Sequence, residues 1–273
     1  MMITLMVNRL KILFSNLVLI LLILGGSSCD FTSGLNQDIL SAQNHVDNQE
    51  FDKAVELYER VLKKNPSKLI KTKINFQLAE IYYLYLDQQL KALKYYQYIV
   101  DNVDDPLWQV KSLEKIADIN FSFAKNYAQA IHAYQILMQV KPRLKSYDYY
   151  FLRVGEAYFE MGKYQKAREI FNQIISQPTN PFYVEAFNQM GLIEFYNKNW
   201  EKAVEYWLEY LKREKRKDQI TKVKFLIANA YESSEKLKEA YNIYYSLLPT
   251  YPNPDVLKSR LKSLYNRRVA RKR

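Results

Sequence analysis

Six times along this chain an alanine is followed four residues later by an aromatic: Ala54 and Tyr58, Ala92 and Tyr96, Ala130 and Tyr134, Ala167 and Phe171, Ala203 and Trp207, Ala240 and Tyr244. Successive alanines lie 38, 38, 37, 36 and 37 residues apart. A near-constant period of this length means a stack of like supersecondary units. Residues four apart share a helix face, so each pair presents a small and a bulky side chain one turn apart. The alanine lets a neighbouring helix approach, and the aromatic fills the wider gap beyond it. Ahead of each pair the chain places another residue where two backbones would cross: Ala42, Ala79, Asp118, Gly155, Gly191 and Ala228. Two antiparallel helices joined by a tight turn make one unit. Pro66, Pro106, Pro142 and Pro178 mark the same period, and Pro252 closes it.

Glycine usage excludes the competing folds. Of six glycines, Gly25, Gly26 and Gly34 lie near the N-terminus, which leaves Gly155, Gly162 and Gly191 for the rest. Strand hairpins and phosphate-cradling loops draw on glycine for positive φ, so β folds, dinucleotide folds and P-loops fall away. With 48% apolar and 25% charged residues, the chain is globular.

These residues resemble the tetratricopeptide repeat, whose pattern runs aromatic, two residues, Leu-Gly, two residues, Tyr, then Ala-x3-Phe and a closing Pro. The fourth copy carries it best, with Phe151, Val154, Gly155, Tyr158, Gly162, Tyr164, Ala167 and Phe171, and the first reads NQEFDKAVELYERVLKKNP. Asp118 departs from the small residue in copy three, Glu194 from the tyrosine in copy five, and KREKRKD (Lys212 to Asp218) stands where copy five should have its proline. The predicted fold is all-α: a right-handed α-α superhelical solenoid of about six helix pairs over residues 37–252. A basic C-terminal helix and tail (253–273) cap it through Val256, Leu257, Leu261 and Leu264.

The one cysteine of the chain, in LVLILLILGGSSCD, ends a different signal. Arg9 and Lys11 precede an apolar run, Ile12 to Leu24, followed by Gly25, Gly26, Ser27 and Ser28, which is the order of a secretory signal. A cysteine directly after the small residues resembles the bacterial lipobox. That resemblance implies cleavage after residue 28, a lipid on Cys29, and a short tether over 29–36, although Gly26 stands where an aliphatic residue is usual. An uncleaved anchor or plain secretion are the alternatives, and each puts the remaining chain across a membrane from the cytoplasm.

No catalytic constellation is legible. His45 and His132 lie in different repeats, and no HExxH, GxSxG or GxGxxG occurs. One cysteine and two histidines do not assemble a structural zinc site, and neither metal nor cofactor is expected. Glu156 with Glu160 reads as a solvated helix face. The expected working surface is the concave face, formed by the first helix of each pair. Its lining would be Phe76 and Tyr83 in copy two, Phe123 in copy three, and Tyr149 and Phe159 in copy four. Asn188 and Phe195 follow in copy five, and Lys222 and Asn229 in copy six. Aromatics with interspersed amides suit a protein segment whose backbone must be hydrogen-bonded.

Of the net charge of +11, eight positive charges follow Asp255, including Arg267, Arg268, Arg271, Lys272 and Arg273. That tail suits an anionic membrane surface or an acidic partner, with a frayed solvated terminus as the alternative and no nucleic acid expected. A lipobox-like cysteine, a tether and a tetratricopeptide array together resemble the BamD-like outer-membrane assembly lipoproteins and the six-repeat pilotins of type IV pili. The resemblance implies a non-catalytic, lipid-anchored scaffold on the periplasmic side of a bacterial envelope, the outer membrane rather than the inner. A peptidoglycan-associated adaptor docking a cell-wall enzyme and a basic anionic-polymer binder stay open.

Overall fold

A computed structural model describes residues 30–270. The apolar run, Cys29, and Arg271, Lys272 and Arg273 of the basic tail lie outside them. The described chain forms thirteen helices and no strand, in two compact units, one ending at Ser112 and the other beginning at Leu113. The first unit holds α1 (Asp30–Asp47), α2 (Phe51–Lys63), α3 (Lys68–Leu84) and α4 (Gln89–Asn102). Helix α5 (Pro106–Ser122) contains the boundary. The second unit continues with α6 (Tyr127–Gln139), α7 (Tyr147–Glu160), α8 (Tyr164–Ile175) and α9 (Tyr183–Tyr196). It ends with α10 (Trp200–Leu211), α11 (Lys217–Ser233), α12 (Leu237–Leu247) and α13 (Pro254–Ala270).

Each helix packs chiefly on its neighbours in sequence: α1 on α2 and α3 on α4 in the first unit, and every consecutive pair from α6 to α13 in the second. The alanine and aromatic stripe explains why. Helix α2 buries Ala54, Val55, Tyr58 and Val61, and α8 buries Ala167, Phe171 and Ile174, each set at helical spacing on one face. All six alanines of the second helices are fully buried, and their six aromatics are at most 2% exposed.

The facing small residues sit as read, with one correction. Ala42, Ala79 and Ala228 are fully buried, but in copy three the residue at the crossing is Ala117, also fully buried, and not Asp118. The reason is a longer turn. In four of the pairs the first amide after the turn reaches back five residues, as from Glu50 to His45, Lys163 to Tyr158, Asn199 to Glu194 and Lys236 to Tyr231. From Gln88 to Tyr82 and from Asn126 to Asn120 it reaches back six, so these two copies carry one extra residue. Asp118, one step beyond the crossing, accepts a hydrogen bond from the Tyr134 hydroxyl at 2.6 Å.

Glycine is needed where the facing aromatic comes closest. A Cβ on Gly155 would lie 2.8 Å from Ile170 Cγ2 and Phe171 Cε1, and one on Gly191 would lie 2.4 Å from Trp207 Nε1. The turns inside the pairs are held differently. Each contains a residue with positive φ, and five of the six are not glycine: Gln49, Asp87, Lys125, Lys198 and Glu235, alongside Gly162. The left-handed conformation lets the chain double back and satisfy the last carbonyls of the first helix.

Helix α13 closes the second unit by burying Leu257, Leu261 and Leu264 against Ala228, Ala240 and Tyr244. Val256, read with that stripe, is 39% exposed. The described part of the C-terminal segment is helical to Ala270 and packs on the last repeat.

Candidate interaction surfaces

In the first unit, the residues expected to line the inner face are partly occupied with packing. Phe76 meets Tyr96 edge-on at 5.6 Å and Trp108 at 5.2 Å, which joins successive repeats. Tyr83 is half-buried close to Tyr96. Burial and a hydrogen bond to Glu80 hold the Tyr96 phenol protonated well above its ordinary range. His45 pairs through Nδ1 with the Glu50 carboxylate across the α1–α2 turn.

The second unit carries a continuous polar ladder on its first helices. The Arg153 guanidinium lies 3.4 Å from the centre of the Phe121 ring and donates from Nη1 to Glu156 at 2.8 Å. Glu156 Oε1 accepts from Gln189 Nε2 at 3.3 Å, and the same amide reaches Glu185 at 3.4 Å. Asn188 donates to Glu185 at 3.0 Å, while its own Oδ1 is buried without a partner. Loss of hydration raises both Glu156 and Glu185 above the usual carboxylate range, against the lowering effect of Arg153 on the first and of Asn188 on the second. Glu156 is therefore a half-buried bridge between α7 and α9, where its spacing to Glu160 had suggested a solvated face.

Tyr149 joins this ladder through its hydroxyl, which donates to Asp118 at 3.3 Å. It lines a cavity of about 290 Å³ with Glu114, Asp118, Ser146 and Tyr150. Phe159 packs on Tyr164 and Tyr196 at the far ends of α7 and α9. Phe123 is 52% exposed, and Lys222 and His132 are exposed.

Three of the expected residues converge. Phe195, Asn229 and Arg267 line one pocket of about 460 Å³ with Glu232, Ser233, Glu235 and Arg260. Here α13 meets the inner side of α11. Arg260 Nη1 donates to Glu232 Oε2 at 2.9 Å, Arg267 Nη1 to Glu232 Oε1 at 3.3 Å, and Arg267 Nη2 to Glu235 at 2.6 Å. Arg268 lies over the Tyr241 ring at 5.8 Å. The described part of the basic tail is thus a structural clamp on the last pair, and its arginines face a cleft that also holds an amide, a hydroxyl and an aromatic ring.

A larger groove, about 910 Å³, runs on the other side of the same unit along α8 and α10. Its floor is Phe187 and the buried Glu194, whose Oε1 accepts from Arg168 Nε at 3.2 Å and Nη2 at 2.9 Å, and whose Oε2 accepts from Asn199 at 2.7 Å. Tyr206, Leu208 and Leu211 line its wall, with Leu208 46% exposed. This groove was not legible, because most of its lining comes from second helices assigned to packing. The only hint was Glu194, which breaks the tyrosine pattern. Among the described residues no three histidine, cysteine or acidic side chains gather as a metal site, and no helix is long and apolar enough to cross a membrane.

Residues 149–179 match the family model described as tetratricopeptide repeat. That stretch carries a tetratricopeptide repeat, and the helix pairs have the fold of a tetratricopeptide solenoid. No curated protein matches it. Among solved structures, the array is similar to PilW, described as a widely conserved type IV pilus biogenesis factor, with 15% identity, TM-score 0.54, and 85% of this chain and 98% of that one covered. It is also similar to a tetratricopeptide repeat protein from Parabacteroides merdae ATCC 43184, with 15% identity, TM-score 0.56 and coverages of 85% and 99%. A third is pilF of Pseudomonas aeruginosa, with 13% identity, TM-score 0.51 and coverages of 87% and 99%. At these identities the likeness extends to the fold alone.

Proposed function

We propose that this chain is a non-catalytic scaffold, anchored to a bacterial envelope membrane through lipid on Cys29, that holds a protein partner on the inner face of its tetratricopeptide array. The observation that carries this reading is the pocket at the C-terminal end of the second unit, where Phe195, Asn229 and Arg267 meet. It combines an apolar wall with donors and acceptors, which suits a peptide whose backbone and one charged side chain are held together. Cys29, directly after an apolar run and four small residues, supports attachment on the periplasmic side, with the outer membrane favoured over the inner. The fold-level likeness to PilW supports a part in the assembly of pilus or outer-membrane proteins, without naming the partner.

A photo-crosslinker in place of Ser233 should yield protein adducts in intact cells, while one in place of Glu169, exposed on α8, should not. Adducts from Glu169 with none from Ser233 would move the working face away from the inner pocket to the second helices. Cys29→Ser should release the protein from the detergent-extracted fraction. Unchanged partitioning at precursor mass would replace the lipid by an uncleaved anchor.

A further inference from the structure

The stretch KREKRKD replaced a proline in the sequence pattern; Arg213 lies over the Phe187 ring at 5.0 Å, and the inner-face pocket uses none of the stretch's charge. Residues 212–216 form the turn between α10 and α11, and Lys217 and Asp218 open α11. Glu214 organises that turn from within. Its carboxylate accepts from the backbone amides of Lys215 and Arg216, both at 2.8 Å, from Arg216 Nε and Nη2 at 3.0 and 2.7 Å, and from the Tyr210 hydroxyl at 2.8 Å. These donors hold Glu214 ionised well below the usual carboxylate range, the Arg216 side chain first among them. Glu209 likewise holds Lys212 and Arg213. The acids are turned into the turn, and Lys215 and Lys217 are left outside it, exposed.

The α6–α7 turn lies on the same edge of the second unit, since both turns connect a second helix to the next first helix. It carries Lys141, Arg143 and Lys145, all exposed. Arg143 stacks over Tyr147 at 3.9 Å and pairs with Asp148 at 2.7 Å. The α8–α9 turn between them, SQPTNPF, is uncharged. Across residues 141–148 and 209–218, eight basic side chains stand against four acidic ones, Asp148, Glu209, Glu214 and Asp218, and all of these acids but Asp218 accept side-chain ion pairs. Lys141, Lys145, Lys215 and Lys217 make no ion pair within the described residues.

We infer that this edge of the second unit rests against anionic lipid headgroups. Lysines that make no ion pair among the described residues, spaced along one edge with tyrosines behind them, match a plane of phosphates, which attracts basic residues within a Debye length. The inference rests on the membrane-anchored reading, because an anchored chain is held near such a surface at all times.

The test uses the full chain, synthesised with equal areas of neutral phosphatidylcholine vesicles and denser vesicles containing phosphatidylglycerol, which are then separated by density. Total association reads the anchor, and the ratio between the two vesicle types reads the edge. One variant converts Lys141, Lys145, Lys215 and Lys217 to glutamine. A second, equal in charge, converts Lys125, Lys163, Lys198 and Lys238 on the opposite edge, where the turns within the pairs lie. At roughly fivefold per lysine near an anionic surface, the first variant should lower the ratio by about a hundredfold or more at low salt, and the second should leave it near the parent's. The difference should shrink as salt rises. Equal ratios for parent and first variant, or an equal fall in both variants, would overturn the inference. Absence from both vesicle types would defeat the anchor and the edge together, whereas binding to anionic vesicles alone, lost in the first variant, would defeat only the anchor.

Discussion

Gly191→Ala is the sharpest probe of how the second unit packs, because two effects of opposite sign compete at one atom. In a helix interior, alanine is favoured over glycine by about 1 kcal/mol. Here the added Cβ would sit 2.4 Å from Trp207 Nε1 and 2.5 Å from Cδ1, inside van der Waals contact with a side chain that is itself fully buried. The indole has nowhere to retreat, so overpacking should cost about 1 to 3 kcal/mol and outweigh the propensity gain. Four other pairs show the remedy, since Ala42, Ala79, Ala117 and Ala228 face tyrosines. Adding Trp207→Tyr should therefore recover much of the loss, with a favourable coupling of about 1 to 3 kcal/mol for residues in contact. The new hydroxyl then needs an acceptor. Tyr96, Tyr134 and Tyr244 donate to Glu80, Asp118 and Asn229, each one residue after the small one, where this copy has Leu192. Adding Leu192→Asn should recover about 1 kcal/mol more, the usual net worth of one hydrogen bond. Urea denaturation followed by helical circular dichroism gives the four stabilities, and amide exchange in α9 and α10 shows that the loss is local. A single variant as stable as the parent would mean that the helices do not approach as closely as described, and the pairing of small residue with aromatic size would lose its physical basis.

Lys198→Gly should stabilise the chain by about 0.5 to 1 kcal/mol, because φ of 61° is strained for a residue with a side chain and free for glycine; denaturant midpoints check it. Glu185 is raised by burial, so its favourable contribution is fully present below its unfolded value near 4.5 and is lost as pH rises through the higher folded value. Glu185→Gln keeps an acceptor for Asn188 and should make stability less dependent on pH above 5, with a gain at neutral pH; a parallel pair of pH profiles would refute this. Glu232→Gln weakens the contacts to Arg260 and Arg267, so exchange of the Leu257 to Leu264 amides should speed up while α8 and α9 stay unchanged.

The fold was legible because its two determinants are local in sequence. An alanine four residues before an aromatic writes the second helix of each pair, and the period writes the stack. The outer groove was not legible, since Arg168 and Glu194 lie 26 residues apart on different helices and the pattern marks Glu194 only as a misfit. The inner-face residues were partly legible. Phe195 and Asn229 do meet in one pocket, but Phe195, like Phe76 and Phe159, packs its ring on neighbouring aromatics, which register alone does not distinguish from exposure.

The misread Asp118 shows what period arithmetic omits. The twelve-residue offset from crossing to alanine seen in copies one, four, five and six places it at the crossing, where a charged carboxylate facing a buried tyrosine would be costly. One extra turn residue, visible only in the hydrogen bond from Asn126 back to Asn120, moves Ala117 into that position. Asp118 then becomes the acceptor for the Tyr134 hydroxyl. Its counterparts Glu80 and Asn229 do the same for Tyr96 and Tyr244, whereas copies four and five, with Phe171 and Trp207, have no hydroxyl to satisfy. In copy four that freed position is Glu156, which turns to Arg153 and to Gln189 on the first helix of the next pair. Giving up a tyrosine hydroxyl in the core of one pair thus releases a carboxylate to build the polar ladder between pairs. By the same logic Phe171→Tyr should draw Glu156 back toward the new hydroxyl, weaken its bridge to Gln189, and loosen the contact between α7 and α9, which faster amide exchange confined to those two helices would reveal. Unchanged exchange there would show that the ladder does not depend on the missing hydroxyl.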